Sequence, residues 1–203
     1  DIWSADVRKA YFRKLPGARE NERFHGTHVG GIMAAKKDER GMHGVSFDAN
    51  LYSVELFMDN NAYGKLNAAP GVKVVNNSWG FSSYIEPMMA QGTFVQKMNL
   101  LMPELKTIDN SMVQYDKLHI FAAGNAGHAE PDINIVYQTF LKKTNPKNII
   151  NVVAINPNGF DKKTNTAGTN FVSIFSDLAK YADERTIVAP GTRIYSSIPA
   201  ELD

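Results

Sequence analysis

Five short apolar runs punctuate this chain, and three of them end in clusters of small and polar residues. Lys73 to Ser78 leads into Asn77-Ser78-Trp79-Gly80, Leu118 to Ala123 into Gly124-Asn125, and Thr186 to Ala189 into Pro190-Gly191. The other two are Leu51 to Met58 and Ile149 to Ile155. Runs of this length, rich in bulky and β-branched side chains, read as strands. Between them the apolar residues take helical spacing: Phe94, Met98, Leu101, Met102, Leu105, Ile108 and Met112 form one stripe within 85–116. Pro103 should split that stripe into two helices, because it lacks an amide donor and clashes with the preceding turn. Residues 27–36 also read as helix, and 127–147 as a polar excursion with some helical character. Strands alternating with helices predict an α/β fold, a mostly parallel sheet covered on both faces. Sites in such sheets form at the carboxyl ends of strands, where all three clusters fall.

Composition narrows the partners. A chain of 203 residues suits one domain. With 22 basic and 21 acidic side chains, the net charge of +1 gives no reason to expect nucleic acid as a partner. Cysteine is absent, so disulfides and thiol chemistry are excluded; this fits many bacterial secreted proteins. No apolar run approaches the ~18 residues of a membrane span, so no membrane contact is expected of this domain. No signal peptide opens the stretch, and any leader is expected either to have been removed or to lie outside it. Residues 1–24 are charged and irregular, with a turn at Pro16-Gly17.

Before the first strand, Leu51 to Met58, lies Phe24-His25-Gly26-Thr27-His28-Val29-Gly30-Gly31, followed by Gly41-Met42-His43-Gly44-Val45. A histidine where a loop becomes a helix is rigidly held, as a general base must be. Taken alone, it reads more readily as an ordinary structural histidine. His25 and His28 are three apart and His43 could supply a third metal ligand. The intervening glycine, the lack of an HExxH pattern and the absence of a nearby acidic ligand weigh against that reading. Asn125 in a Gly-Asn turn would, alone, read as a residue tolerating left-handed geometry. Trp79 would likewise read as a tryptophan capping a strand end.

In order and at matching spacing, the blocks HGTHVGG, VVNNSWG, FAAGNAG and IVAPG resemble the subtilisin-like serine proteases, the subtilases, over about His25 to Ser197. The resemblance implies a three-layer α/β/α subtilisin-like fold and a single peptidase domain over 1–203. It implies a serine endopeptidase acting on polypeptide substrates through an Asp-His-Ser triad, without a cofactor. His25 would then be the general base, with His28 structural, and Asn125 would donate to the oxyanion. Ser78, Trp79 and Gly80 would pair with the substrate backbone as an added strand, the Ser78 hydroxyl not being the nucleophile. Ala123 and Gly124 would wall the pocket for the substrate's primary side chain. Trp79 is bulkier than the leucine often found there and would reshape the adjoining pocket. No acidic cluster supports the structural calcium site frequent in subtilisins, so no metal is expected.

Two of the family's motifs are missing from the stretch. The nucleophile lies in GTS-(M/A)-A-(T/S)-P, some twenty residues beyond Ala-Pro-Gly, whereas only residues 192–203 follow Gly191. Gly168-Thr169-Asn170 is a decoy with asparagine for serine, placed before Ala189-Pro190-Gly191. Asp1 and Asp6 lack the apolar strand and following glycine of the family's D-(S/T)-G. Both segments are therefore expected outside these residues, and the stretch alone is expected to be inactive. The connection from Met58 to Lys73, about fourteen residues with Pro70 inside it, is short for a helical crossover: either it carries a genuine deletion or, as expected here, residues are absent and the flanks are joined. The elaborated 81–117 and 127–147 regions look most like subtilase domains of bacterial autotransporters, implying a secreted or cell-surface location. A degenerate subtilase that binds peptides without cleaving them is the second reading. Oligomeric state and cleavage specificity are not readable from the sequence.

Overall fold

In a computed structural model, the described residues are 24–39, 41–54, 61–80, 107–108, 110–112, 114–141, 147–161, 166–168 and 171–197. The chain divides into two compact units, Asp1–Leu51 with Tyr195–Asp203, and Tyr52–Ile194.

The first unit carries helix α1, His25–Ala34. It begins two residues before the expected start and has no side-chain cap at Phe24, so the usual signal of a helix N-terminus was lacking. Its last carbonyls, which a helix leaves without internal partners, are taken by the following loop. The amides of Gly44, Val45 and Ser46 donate to Ala35, Ile32 and Met33 at 2.8–2.9 Å. Gly44 is buried there, and a Cβ would strike the backbone nitrogen of Ala34. The paired glycines serve packing too: Gly31 lies against the Ser196 and Ser197 side chains, and Gly30 against Leu51. The Ser196 hydroxyl donates to the carbonyl of His28.

The second unit is built on a four-stranded sheet of β1 (Val74–Asn77), β2 (Leu118–Ala122), β3 (Ile149–Ile155) and β6 (Thr186–Pro190). The order is β1-β2-β3-β6 and every pairing is parallel. All four carboxyl ends therefore share one edge. Four of the five expected strands are found within one residue or so of their predicted bounds. Residues 51–54, the described start of the fifth, are irregular and mostly exposed, and its remainder lies outside the described residues. A two-stranded antiparallel ribbon, β4 (Phe160–Asp161) with β5 (Thr166–Ala167), sits in the connection to β6.

Helix α2, Ala62–Ala68, occupies the short connection before β1. This helix of two turns ends before Pro70. Tyr63 and Leu66 of α2, with Ile108, Met112, Ile135 and Ala182, pack on Val75, Phe121 and Ile149 of the sheet. Of the predicted 85–116 helices, the described residues between 107 and 114 are helical, and Pro103 lies outside the described residues. The 127–147 excursion forms α3, Ile133–Val136, and a wider π turn, Tyr137–Leu141. Among the described residues no helix is long and apolar enough to cross a membrane.

Candidate active site at the carboxyl edge of the sheet

β1 and β2 run parallel with Asn77 opposite Phe121, so their continuations, Ser78–Gly80 and Ala123–Asn125, leave the same edge. Ala123 is buried and extends the ladder, its amide donating to Val152 at 3.0 Å. Its carbonyl accepts from Asp132 at 2.7 Å. The buried Asp132 carboxylate caps α3, accepting from the Asn134 amide at 3.0 Å and side chain at 2.7 Å. It lies where a Cβ on Gly80 would fall. Asp132 thus fastens the loop after β2 through its amide, while its carboxylate stands close against Gly80.

The turn carrying Asn125 is held by a second carboxylate. Asp177 is buried, and its Oδ1 accepts from the amides of Ala126 at 3.0 Å and His128 at 2.7 Å. Its own amide donates to Gly124 at 3.0 Å. Gly124 has φ +122°, and a Cβ would collide with Asp177 Oδ2. The residue must therefore be glycine on both conformational and steric grounds. Further bonds, Gly127 to Phe175 and Leu178 to His128, both 2.9 Å, fasten the two segments. Asn125 stands exposed on this turn. Backbone clamped on both sides of an exposed amide side chain is the preorganisation that an oxyanion donor requires.

Trp79 is half-buried and packs edge-on against Phe121, ring centroids 6.2 Å apart. Its indole N–H donates to the Tyr63 hydroxyl, which donates to Asn77 Oδ1 at 2.6 Å. Burial pushes the Tyr63 phenol well above its usual range. Asn77 Nδ2 reaches His119 Nδ1 at 3.3 Å, and His119 Nε2 reaches Ser111 Oγ at 2.9 Å. Burial, aided by the charge of Lys117, pulls His119 down to about 4, so the ring is neutral near pH 7. Ser78 is half-buried and its hydroxyl accepts from Asn76 at 2.9 Å.

Ser78, Trp79, Gly80, Ala123, Gly124 and Asn125 are therefore gathered at one edge. His25 is the first residue of α1 in the other unit, exposed. His43 bonds its neighbour's carbonyl at 3.0 Å and packs edge-on to Phe47. Among the described residues no group of three or more His, Cys, Asp or Glu side chains is placed to hold a metal. Asp132, Asp177 and His119 escaped the sequence reading. The two carboxylates stand in loops with no periodic pattern, and His119 sits inside an apolar run.

The chain matches the subtilase family model over residues 4–201. It is 48% identical over 63 residues to an extracellular serine protease of Serratia marcescens, covering 29% of this chain and 6% of that protein. It is 27% identical over 213 residues to fervidolysin of Fervidobacterium pennivorans, covering 97% of this chain and 25% of the relative. Against subtilisin amylosacchariticus of Bacillus subtilis subsp. amylosacchariticus the identity is 27% over 180 residues, 86% of this chain and 39% of the relative. The chain thus spans well under half the length of these relatives. Among solved structures, the patellamide maturation protease PatG matches 98% of this chain and 51% of its own, with TM-score 0.61 and 12% identity. The PatG macrocyclase in complex with peptide gives TM-score 0.59 at 13% identity over the same shares. These likenesses show the fold, a subtilisin-like α/β architecture with a parallel sheet. By its match over nearly the whole length, the chain belongs to the subtilase family.

Proposed function

We propose that this chain is the core of a serine endopeptidase domain that hydrolyses peptide bonds in polypeptides. The observation that carries the proposal is the turn of Asn125, clamped by Asp177 at the carboxyl edge of a parallel sheet. In this reading His25 takes the proton from a serine in the family's GTS motif and returns it to the leaving amine. Asn125 donates to the oxyanion of the tetrahedral intermediate. Ser78, Trp79 and Gly80 pair with the extended substrate, and Ala123 and Gly124 leave room for its side chain. Secretion or display at a bacterial surface, as in autotransporters, goes with this reading and is supported by the extracellular Serratia relative.

The test is hydrolysis of labelled casein by the full-length protein that contains this chain. His25→Ala should abolish turnover. Asn125→Ala should lower kcat by about 10²–10³ with little change in KM, a magnitude measured for the corresponding asparagine of a subtilisin rather than worked from this structure. Peptide binding without hydrolysis in the unmutated protein would replace this reading with the degenerate, peptide-binding one.

A further inference from the structure

The indole of Trp79 is the visible end of a longer buried line. It runs Trp79, Tyr63, Asn77, His119, Ser111, Asn67, buried in its middle, with the bonds pointing consistently. The indole N–H donates to the Tyr63 oxygen, and the Tyr63 hydroxyl donates to Asn77 Oδ1. That leaves Asn77 Nδ2, which can only donate, against His119 Nδ1. Nδ1 must then accept, so the proton of the neutral ring is on Nε2, which donates to Ser111 Oγ. The Ser111 hydroxyl donates onward to Asn67 Oδ1 at 2.7 Å. The other tautomer of His119 would set its Nδ1–H against Asn77 Nδ2, donor against donor.

The middle of the line is buried and packed as well as bonded. Tyr63 is 6% exposed, Asn77 1%, and Ser111 and His119 0%. The Tyr63 ring stacks on His119 at 5.9 Å, and His119 stacks on Phe121 at 6.1 Å. Trp79 touches the same Phe121 edge-on. An aromatic contact alone leaves an indole two faces to present; a fixed acceptor for its N–H selects one.

We infer that Tyr63 is a positioning residue for peptide recognition. Through its hydroxyl, the buried line from Asn67 to Asn77 holds the Trp79 indole in one orientation at the end of β1, where it walls the seat of a single substrate side chain. The inference rests on the reading of Ser78–Gly80 as the segment that pairs with peptide. Tyr63, Asn77 and His119 make no contact with substrate in this scheme; they set the shape of the wall.

The experiment uses the full-length protein with His25→Ala to stop turnover. The probes are labelled eight-residue Ala/Ser peptides carrying one Phe, moved position by position. Tyr63→Phe keeps the ring stack and removes only the hydroxyl. It should weaken binding about tenfold for the one position whose Phe meets Trp79 and leave the others within about twofold. The Trp79 indole N–H resonance, identified by its loss in Trp79→Phe, should shift and exchange faster with solvent. Trp79→Phe should weaken the same position, and adding Tyr63→Phe to it should cost nothing more. Equal weakening at every position, additive losses, or an unmoved indole resonance would overturn the inference. If Trp79→Phe weakens one position and Tyr63→Phe does not, the inference alone fails. If Trp79→Phe weakens none, the peptide-pairing reading fails and takes the inference with it. Should Tyr63→Phe not fold, nitrogen NMR of unmutated His119 decides: a proton on Nε2 is required, and a proton on Nδ1 overturns it.

Discussion

Replacing Asp177 by alanine removes the acceptor of two backbone amides, Ala126 at 3.0 Å and His128 at 2.7 Å. Hydrogen bonds to a charged group contribute about 1.5–3 kcal/mol each. Relief from burying the carboxylate offsets part of this. Both amides lie near the surface and can reach water, so the net loss should be about 2–4 kcal/mol. In a chain of this size each kcal/mol lowers Tm by about 2–4 °C, so the variant should melt roughly 10 °C lower. Asp177→Asn retains an acceptor oxygen and should lose about half as much. Urea unfolding followed by circular dichroism reads the stability, with an unchanged slope showing that the folded state is retained. Amide exchange at Ala126 and His128 should quicken by about tenfold or more, while the β3 amides follow only the global change. A loss under about 0.5 kcal/mol with exchange at 126 and 128 unchanged would refute the clamp.

Other outcomes follow from the same geometry. His119 is held neutral down to about 4 in the folded protein against an ordinary 6.5. The unfolded chain therefore binds the extra proton between those values. Its contribution is complete above pH 6.5 and fades as the pH falls, by roughly 2 kcal/mol at pH 5 and ~3 at pH 4; urea midpoints that stay level from pH 7 to 5 would contradict this. Gly44→Ala drives a Cβ into the Ala34 backbone and should cost roughly 2 kcal/mol, with faster exchange of the Val45 and Ser46 amides as its local signature. Gly80→Ala places a methyl against the Asp132 carboxylate, which its two bonds to Asn134 hold in place. It should destabilise by about 1 kcal/mol through the α3 cap, and crystallography should show the carboxylate displaced.

The sheet was legible because buried parallel strands leave continuous apolar runs. Lys73 to Ser78, Leu118 to Ala123 and Ile149 to Ile155 declared themselves this way. Leu51 has the same composition yet is 51% exposed and outside any strand; apolar content does not by itself say which face is covered. The blocks around His25, Ser78, Asn125 and Pro190 were legible through their resemblance to a family, not through periodicity. What holds them was not. The inward positions of β1, β2 and β3 include Asn77, His119 and Asn151, polar residues where a pattern of burial predicts apolar ones. Their partners come from far along the chain: Tyr63 is 14 residues from Asn77, and Thr186 is 35 from Asn151. Asp177 stands 49 residues beyond His128. Such pairings are set by the fold, and no local signal announces them.

The central claim, a serine nucleophile activated by His25, is tested most directly by treating the full-length protein with a fluorophosphonate probe and mapping the adduct by mass spectrometry. The account predicts one adduct per chain, on a serine within a GTS motif, lost in His25→Ala and retained in Ser78→Ala. No adduct in a folded protein, or one that survives His25→Ala at the same rate, would contradict it.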